Sequence, residues 1–436
     1  MSTISEVKTW GSTIGAVVLE DGQRTASFQY DPDFAQSGVE VSPLMMPLSN
    51  RVYSFPALAQ ESFHGLPGLL ADSLPDRFGN ALIDAWLARQ GRDPNSFNAV
   101  ERLCYTGSRG MGALEFVPAT GPQPTKDSVL QVDRLVELAS EILSHRNGLQ
   151  TRFTEEVKAE AMSDILRVGT SAGGARAKAV IAWNPKTNEV RSGQNNADDG
   201  FEHWIIKFDG VSNNRDKDLA DPKGYGIIEY AYSKMATDCG ITMSDCRLFE
   251  EGGRHHFMTR RFDRLTQGGK LHMQSLAAVA HLDFNQAGAH SYEQAFDTMR
   301  RLDLFASTTA EMYRRMVFNI VARNQDDHVK NIAFLMDRSG NWSLAPAFDM
   351  TYNYQPSGIW TSSHQMTVNG KRDNFTFEDF LACGKSALLK RGQAKTILHE
   401  VGQVVSRWRD YADQAGVNLN QRDKIYNALR LKLFEN

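Results

Sequence analysis

An apolar helix that runs straight into eight polar residues limits what this chain can build. Tyr313, Met316, Val317 and Ile320 recur at helical spacing, so one face of that helix is expected to be buried. Directly after it stands NQDDHVKN (Asn324–Asn331), rich in carboxylates and amides. In isolation this is an ordinary polar turn, because Asp and Asn bond their own backbone and favour helix ends and loops. NIAFLM and NWSLAP then read as a hairpin around Ser339-Gly340, and the hairpin runs into AFDMTYN. Such a hairpin can fold back and bring Asp349 beside Asn331.

Four residues separate Asp326 from Asn331, the D-x-x-x-x-N spacing of a kinase catalytic loop. Phosphoryl transfer needs one carboxylate to orient and deprotonate an attacking hydroxyl. It also needs oxygen ligands for magnesium that leave room for phosphate oxygens. The spacing recurs by chance in short matches; its order, its loop context and the downstream Asp349 give it weight. A metal-dependent phosphoesterase built on Asp326, Asp327 and His328 is a competing expectation, and it requires two metals.

Upstream segments fit phosphoryl transfer. Lys207 ends the strand-like HWIIKF (His203–Phe208), from which a lysine can reach a nucleotide phosphate, and Glu229 on the next helix is a candidate partner. Gly169, Gly173 and Gly174 in GTSAGGARAKA allow close backbone approach to phosphates, although the pattern is neither G-x-G-x-x-G nor a P-loop. Taken singly, Lys207 is an ordinary strand-end lysine and Glu229 an ordinary helix residue. The adjacent His255-His256 lack a convincing set of further ligands, so a zinc site is discounted.

The 436 residues, 41% of them hydrophobic, suffice for a large core and two or three domains. A net charge of −4 argues against nucleic-acid binding by bulk charge alone. Four scattered cysteines without a C-x-x-C pair suit a reducing cytosol, and neither a secretory signal nor a bilayer-length apolar run is seen. A cytoplasmic protein without membrane attachment is the expectation.

The pattern along the chain predicts an α+β protein. Residues 14–30 read as a hairpin around Asp21-Gly22. Pro75 suits the first turn of a helix that buries Phe78, Leu82, Ile83 and Trp86 and stops at Gly91. Pro118–Ser128 reads as a linker. Val132, Leu135, Val136 and Ala139 mark an amphipathic helix, and so do Ile228, Ala231, Tyr232 and Met235 ahead of Gly240. CRLFEEGGRHHFMTRRF reads as a hairpin turning at Gly252-Gly253, and from about Ser275 the chain is mostly helical.

LPGLLADSLPDRFGN, GTSAGGARAKA, HWIIKF, MTRRFDR, SYEQ, NQDDHVKN and LAPAFDMTYN together resemble the HipA-type kinase toxins of bacterial type II toxin–antitoxin systems. The resemblance covers nearly the whole chain and implies a bilobal protein-kinase-like fold with an additional N-terminal α+β domain. Residues 1–120 would form that antitoxin-facing domain, 121–262 the N-lobe-like region and 263–436 a mostly helical C-lobe. It implies ATP and Mg2+ as cofactors and serine/threonine phosphorylation. Asp326 would be the catalytic base, with Asn331 and Asp349 as magnesium ligands. Lys207 would hold ATP phosphates, and Gly173, Gly174, Ala175, Arg176 and Lys178 would belong to the phosphate-covering loop, with His328 and Lys330 also at the cofactor. The backbone of Arg260, Arg261 and Phe262 would meet adenine, and Ser171 falls where family members phosphorylate themselves.

Two departures stand out. Phe348-Asp349-Met350 replaces the D-F-G order, and Arg260 stands where the best-known members carry an acidic residue. The resemblance further implies an aminoacyl-tRNA synthetase (glutamyl-tRNA synthetase in the best-known case) as protein substrate, with growth arrest and persistence. A HipB-like helix-turn-helix antitoxin would be the partner, with operator DNA bound mainly through it. A kinase-like corepressor subunit acting mainly with that antitoxin is the alternative expectation.

Overall fold

The computed structural model describes residues 2–122, 129–144, 164–166, 168–169, 176–194, 200–211, 215–216, 219–220, 224–266 and 268–434. Ser171, Gly173, Gly174, Ala175 and part of the expected linker lie outside the described residues.

An amino-terminal sheet of order β4-β3-β2-β1-β5 combines β1 (Thr3–Thr9), β2 (Ser12–Leu19), β3 (Ser27–Tyr30), β4 (Val52–Ser54) and β5 (Leu114–Val117). Alternation along β1 buries Ser5, Val7 and Thr9 on one face. The Asp21-Gly22 hairpin is present as the β2–β3 pair, and a tighter one at Trp10-Gly11 joins β1 to β2. Helices α1 (Gln60–Phe63), α2 (Gly68–Ala71), α3 (Arg77–Arg89) and α4 (Ala99–Thr106) complete this part. Pro75 does not sit in the first turn of α3. Asp76 is the N-cap, its carboxylate accepting from Gly79 N–H at 2.6 Å, because a carboxylate satisfies the open amides of a helix start better than proline's fixed ring.

The face of α3 that carries Phe78, Ala81 and Leu82 enters the next core, and Ile83 packs separately with Leu87, Phe97 and Tyr105. That next core lies under a five-stranded sheet of order β11-β12-β8-β6-β7. Its strands are β6 (Lys178–Trp183), β7 (Val190–Ser192), β8 (Glu202–Lys207), β11 (Cys246–Glu251) and β12 (Arg254–Arg260), with β9 (Arg215–Asp216) and β10 (Leu219–Ala220) forming a separate short ladder. Ala179, Ile181 and Trp183 of β6 and Trp204 and Ile206 of β8 point to the core, where α5 (Val132–Ser144) covers them. The alternate residues Lys178 and Lys207 therefore share the opposite face. Gly252 and Gly253, at φ +56 and +71, make the β11–β12 turn, a conformation that side-chain-bearing residues adopt at a cost.

Helix α6 (Tyr225–Asp238) crosses to the remaining core, which it shares with α7 (Leu276–Ala280), α8 (Tyr292–Arg301), α9 (Ala306–Val321), α10 (Phe377–Ser386), α11 (Gln393–Val405), α12 (Trp408–Ala415) and α13 (Leu419–Ala428). Tyr313, Met316, Val317 and Ile320 of α9 are all fully buried, as their spacing predicts. Strands β13 (His272–Ser275), β15 (Ala333–Met336) and β16 (Trp342–Leu344) form a small sheet, with β14 (His290–Ser291) paired to β17 (Met366–Thr367) elsewhere. Among the described residues no helix is long and apolar enough to cross a membrane.

Candidate active site

Lys207 stands at the end of β8 with its ammonium between two carboxylates. It lies 2.6 Å from Glu229 of α6 and is also hydrogen-bonded to Asp349, which follows the β15–β16 hairpin. Glu229, the candidate partner named from the sequence, is 2% exposed. Burial by itself pushes the Lys207 ammonium down, but Asp349 and Glu229 more than offset it and hold the group above its ordinary value. Burial likewise works to raise Asp349, yet Lys207, Lys178 and Arg176 hold its carboxyl well below the usual range. Glu229 is raised, because burial outweighs the nearby Lys207. Asp349 also carries a left-handed backbone, φ +56, a conformation in which non-glycine residues concentrate at functional sites.

The loop Asn324–Asn331 closes on itself. A short 3-10 turn, Val329–Asn331, carries Asn331 back so that its side-chain N–H donates to the Asp326 carbonyl at 2.9 Å. The Asp-to-Asn spacing thus has a local cause, and the bond leaves the amide oxygen of Asn331 for another partner. His328 caps the turn, its Nδ1 accepting from Lys330 N–H at 3.3 Å, while its Nε2 lies 3.8 Å from Asp326. The Lys330 ammonium lies over the Phe284 ring, 4.8 Å from its centroid.

The hairpin brings the following segment alongside this loop: Asn353 N–H donates to Arg323 O at 3.0 Å and Gln325 N–H to Asn353 O at 3.2 Å. Asn324 reaches the Asp349 carbonyl at 3.5 Å. The loop that carries Asp326 and Asn331 is therefore bonded to the segment that carries Asp349, the partner of Lys207.

Asp327 points elsewhere. Its carboxylate accepts from Tyr292 OH at 2.9 Å, His364 Nδ1 at 2.8 Å and Gln365 N–H at 2.8 Å. Arg430 donates to His364 Nε2 at 2.7 Å, which leaves the imidazole proton on Nδ1, facing Asp327. Spent on these bonds, Asp327 is not available to a paired-metal hydrolase. Among the described residues no three His, Cys, Asp or Glu side chains cluster as metal ligands. Magnesium does not require such a cluster: it takes one or two protein oxygens beside phosphate and water. The hard oxygens of Asn331 and Asp349 fit that role.

MTRRFDR joins the sheet to the helical part. Arg260 N–H donates to Asp245 O at 2.8 Å, its carbonyl accepts from Ser244 Oγ at 2.6 Å, and Arg261 N–H donates to His203 O at 2.9 Å. The Arg260 guanidinium pairs with Asp245 at 3.4 Å and Glu202 at 3.7 Å. That of Arg261 is buried against Asp263, which also accepts from Arg264 at 2.8 Å and from Gly112 N–H at 2.7 Å. These side chains tie the amino-terminal part to the connection. The Phe262 ring packs 5.8 Å from Phe348, beside Leu335 and Ala345.

Of the expected phosphate loop, Arg176 and Lys178 are described. Arg176 stacks over the Tyr225 ring at 3.7 Å, and Lys178 lies directly opposite Lys207 across the β6–β8 ladder. Two residues were not legible as site residues. Trp360 donates its indole N–H to Asp326 at 2.6 Å, and Asp76 lies 3.5 Å from Lys178. No sequence pattern marks Trp360. The LPDRFGN motif marks Asp76 only as a helix cap.

Comparison with known proteins agrees with this architecture. The model of the HipA N-terminal domain matches residues 5–117, and that of the HipA-like C-terminal domain matches 170–408. A Haemophilus influenzae protein described as "Putative kinase" is 25% identical over 165 residues, covering 33% of this chain and 48% of that protein. The chain thus spans about half the length of this curated relative. A chain from the Shewanella oneidensis MR-1 complex of HipA, HipB and operator DNA superposes with a TM-score of 0.66 at 14% identity, covering 99% of both chains. With the two domain models matching in order and the fold shared from end to end, this chain belongs to the HipA family.

Proposed function

We propose that this protein is a Mg-ATP-dependent serine/threonine protein kinase acting as a HipA-type toxin. The observation that carries the reading is Lys207, largely screened from solvent between Glu229 and Asp349, together with a loop in which Asn331 ties back to Asp326. A strand lysine paired with a helix glutamate is the arrangement that phosphoryl transfer uses to hold nucleotide phosphates. Asp326 orients the acceptor hydroxyl and takes its proton. Asn331 and Asp349 would hold magnesium, which when bound would neutralise charge on the phosphate oxygens. Lys207 and Lys178 would face the nucleotide phosphates, and Gly173, Gly174, Ala175 and Arg176 would form the phosphate loop, with His328 and Lys330 also at the cofactor. Since both backbone groups of Arg260 and the N–H of Arg261 are already bonded, adenine meets the Arg261 carbonyl and the Phe262 N–H. Phe262 and Phe348 supply an apolar wall.

The domain division in this reading is 1–120, 121–262 and 263–436, the first facing a HipB-like helix-turn-helix antitoxin that carries operator DNA. The substrate is a translation component such as an aminoacyl-tRNA synthetase, whose phosphorylation arrests growth. Self-phosphorylation of Ser171 adds about −1.5 to −2 charges to the phosphate loop and silences the enzyme.

Purified protein incubated with labelled ATP and Mg2+ tests the activity. Phosphate incorporation is expected, lost in Asp326→Ala and Asp349→Ala and on chelation; unchanged incorporation in both variants overturns the reading. Incubation with host lysate followed by mass spectrometry identifies the substrate. Intact mass of wild type against Ser171→Ala tests the switch.

A further inference from the structure

Lys178 and Lys207 are direct partners across an antiparallel ladder, so their side chains emerge side by side on the face of the sheet opposite its core. Like charges placed this way repel. Lys207 is neutralised from the helical side by Glu229 and Asp349. Lys178 meets a carboxylate from the other direction. Asp76 lies 3.5 Å from its ammonium, and the two side chains are only 3% and 5% exposed.

Asp76 belongs to the amino-terminal part of the chain, and a cap bond and the packing of its helix set its position. One oxygen is tied to Gly79 N–H as the cap of α3, and the same helix sinks Phe78, Ala81 and Leu82 into the core beneath β6. The other oxygen, Oδ2, is buried, makes no hydrogen bond, and is the one nearest Lys178. Lys330, from the polar loop, also acts on this carboxylate.

We propose that Asp76 is a positioning residue for nucleotide binding, holding Lys178 toward the phosphates as Glu229 holds Lys207. Nucleotide affinity then depends on α3 staying docked, which gives a partner on the amino-terminal domain a route to the cleft. The inference rests on the reading of this cleft as a nucleotide site, and its test separates the two.

Equilibrium binding of a fluorescent non-hydrolysable ATP analogue with Mg2+ is measured on the full chain for wild type, Asp76→Asn, Lys178→Met and the double variant. Asparagine keeps the helix cap and removes the charge. Asp76→Asn is expected to weaken binding roughly tenfold, as the loss of a buried charge's partner should. Asp76→Ser, which also caps, should do the same. Lys178→Met weakens binding as well, and the double variant binds no worse than Lys178→Met alone. Losses that multiply in the double variant mean that Asp76 acts on the fold and overturn the proposal, as does wild-type affinity in Asp76→Asn. A wild-type chain that binds no nucleotide overturns the kinase reading itself.

Discussion

The indole N–H of Trp360 donates to the carboxylate of Asp326 at 2.6 Å. Asp326 is buried, and Ile359, which precedes Trp360 in the chain, is 96% exposed, so this contact sits where the segment after the hairpin meets solvent. In the proposed kinase, a hydrogen bond to this carboxylate would fix its orientation before an acceptor hydroxyl arrives. Trp360→Phe keeps the ring and removes the donor. The expected result is a fall in kcat of about tenfold, in line with one charge-assisted bond, with KM for ATP unchanged. Steady-state kinetics with ATP varied checks it.

Adjacent carboxylates in the same loop do different work. Asp327 is enclosed by Tyr292, His364 and Gln365. Asp327→Ala strands those donors and should cost about 3–5 kcal/mol, seen as a large drop in thermal midpoint. Asp326→Ala should leave the midpoint within a few degrees of wild type while abolishing phosphate incorporation. Melting curves of the two purified variants decide this.

Lys207→Met leaves the buried Glu229 and the partly exposed Asp349 without their cation. A loss of about 3–5 kcal/mol of stability is expected, beyond the loss of nucleotide binding. Adding Glu229→Gln removes one of the stranded charges and should restore part of the thermal midpoint without restoring activity. Denaturation of the single and double variants measures the recovery.

Asp76 gives the structure a pH signature. Burial, opposed by Lys178 and by the Gly79 amide, moves its carboxyl from 3.8 up to about 6. The folded chain therefore holds that proton more tightly than the unfolded chain does. The resulting stability is fully present below about 3.8 and is lost as pH rises through about 6. Asp76→Asn is neutral throughout, so wild type should lose on the order of 2–3 kcal/mol relative to it between pH 4 and pH 7. Thermal midpoints of the two proteins across that range provide the measurement. A parallel difference at every pH would contradict it.

Periodicity placed α9 and the faces of α5 and α6, since apolar spacing is a property of neighbours along the chain; in α3 it gave the helix, but Ile83 packs apart from Phe78 and Leu82. The hairpins at Asp21-Gly22, Gly252-Gly253 and Ser339-Gly340 were legible for the same reason: turn chemistry is local. So was the Asp326–Asn331 spacing, because a single 3-10 turn closes it. Asp76 was harder. The motif announced a helix cap, and nothing along the chain says that its second oxygen faces a lysine about a hundred positions away.

By itself, the sequence determined which segments fold into helices and strands, and which residue types could carry phosphoryl chemistry. Those outcomes depend on contacts within a few residues. Tertiary structure alone decided that Glu229 is buried, that Asp327 is an anchor, that Trp360 touches Asp326, and that Asp76 reaches Lys178. Each of these joins side chains from separate elements, and their charges and hydrogen bonds acquire a partner only when packing removes water and brings the elements together.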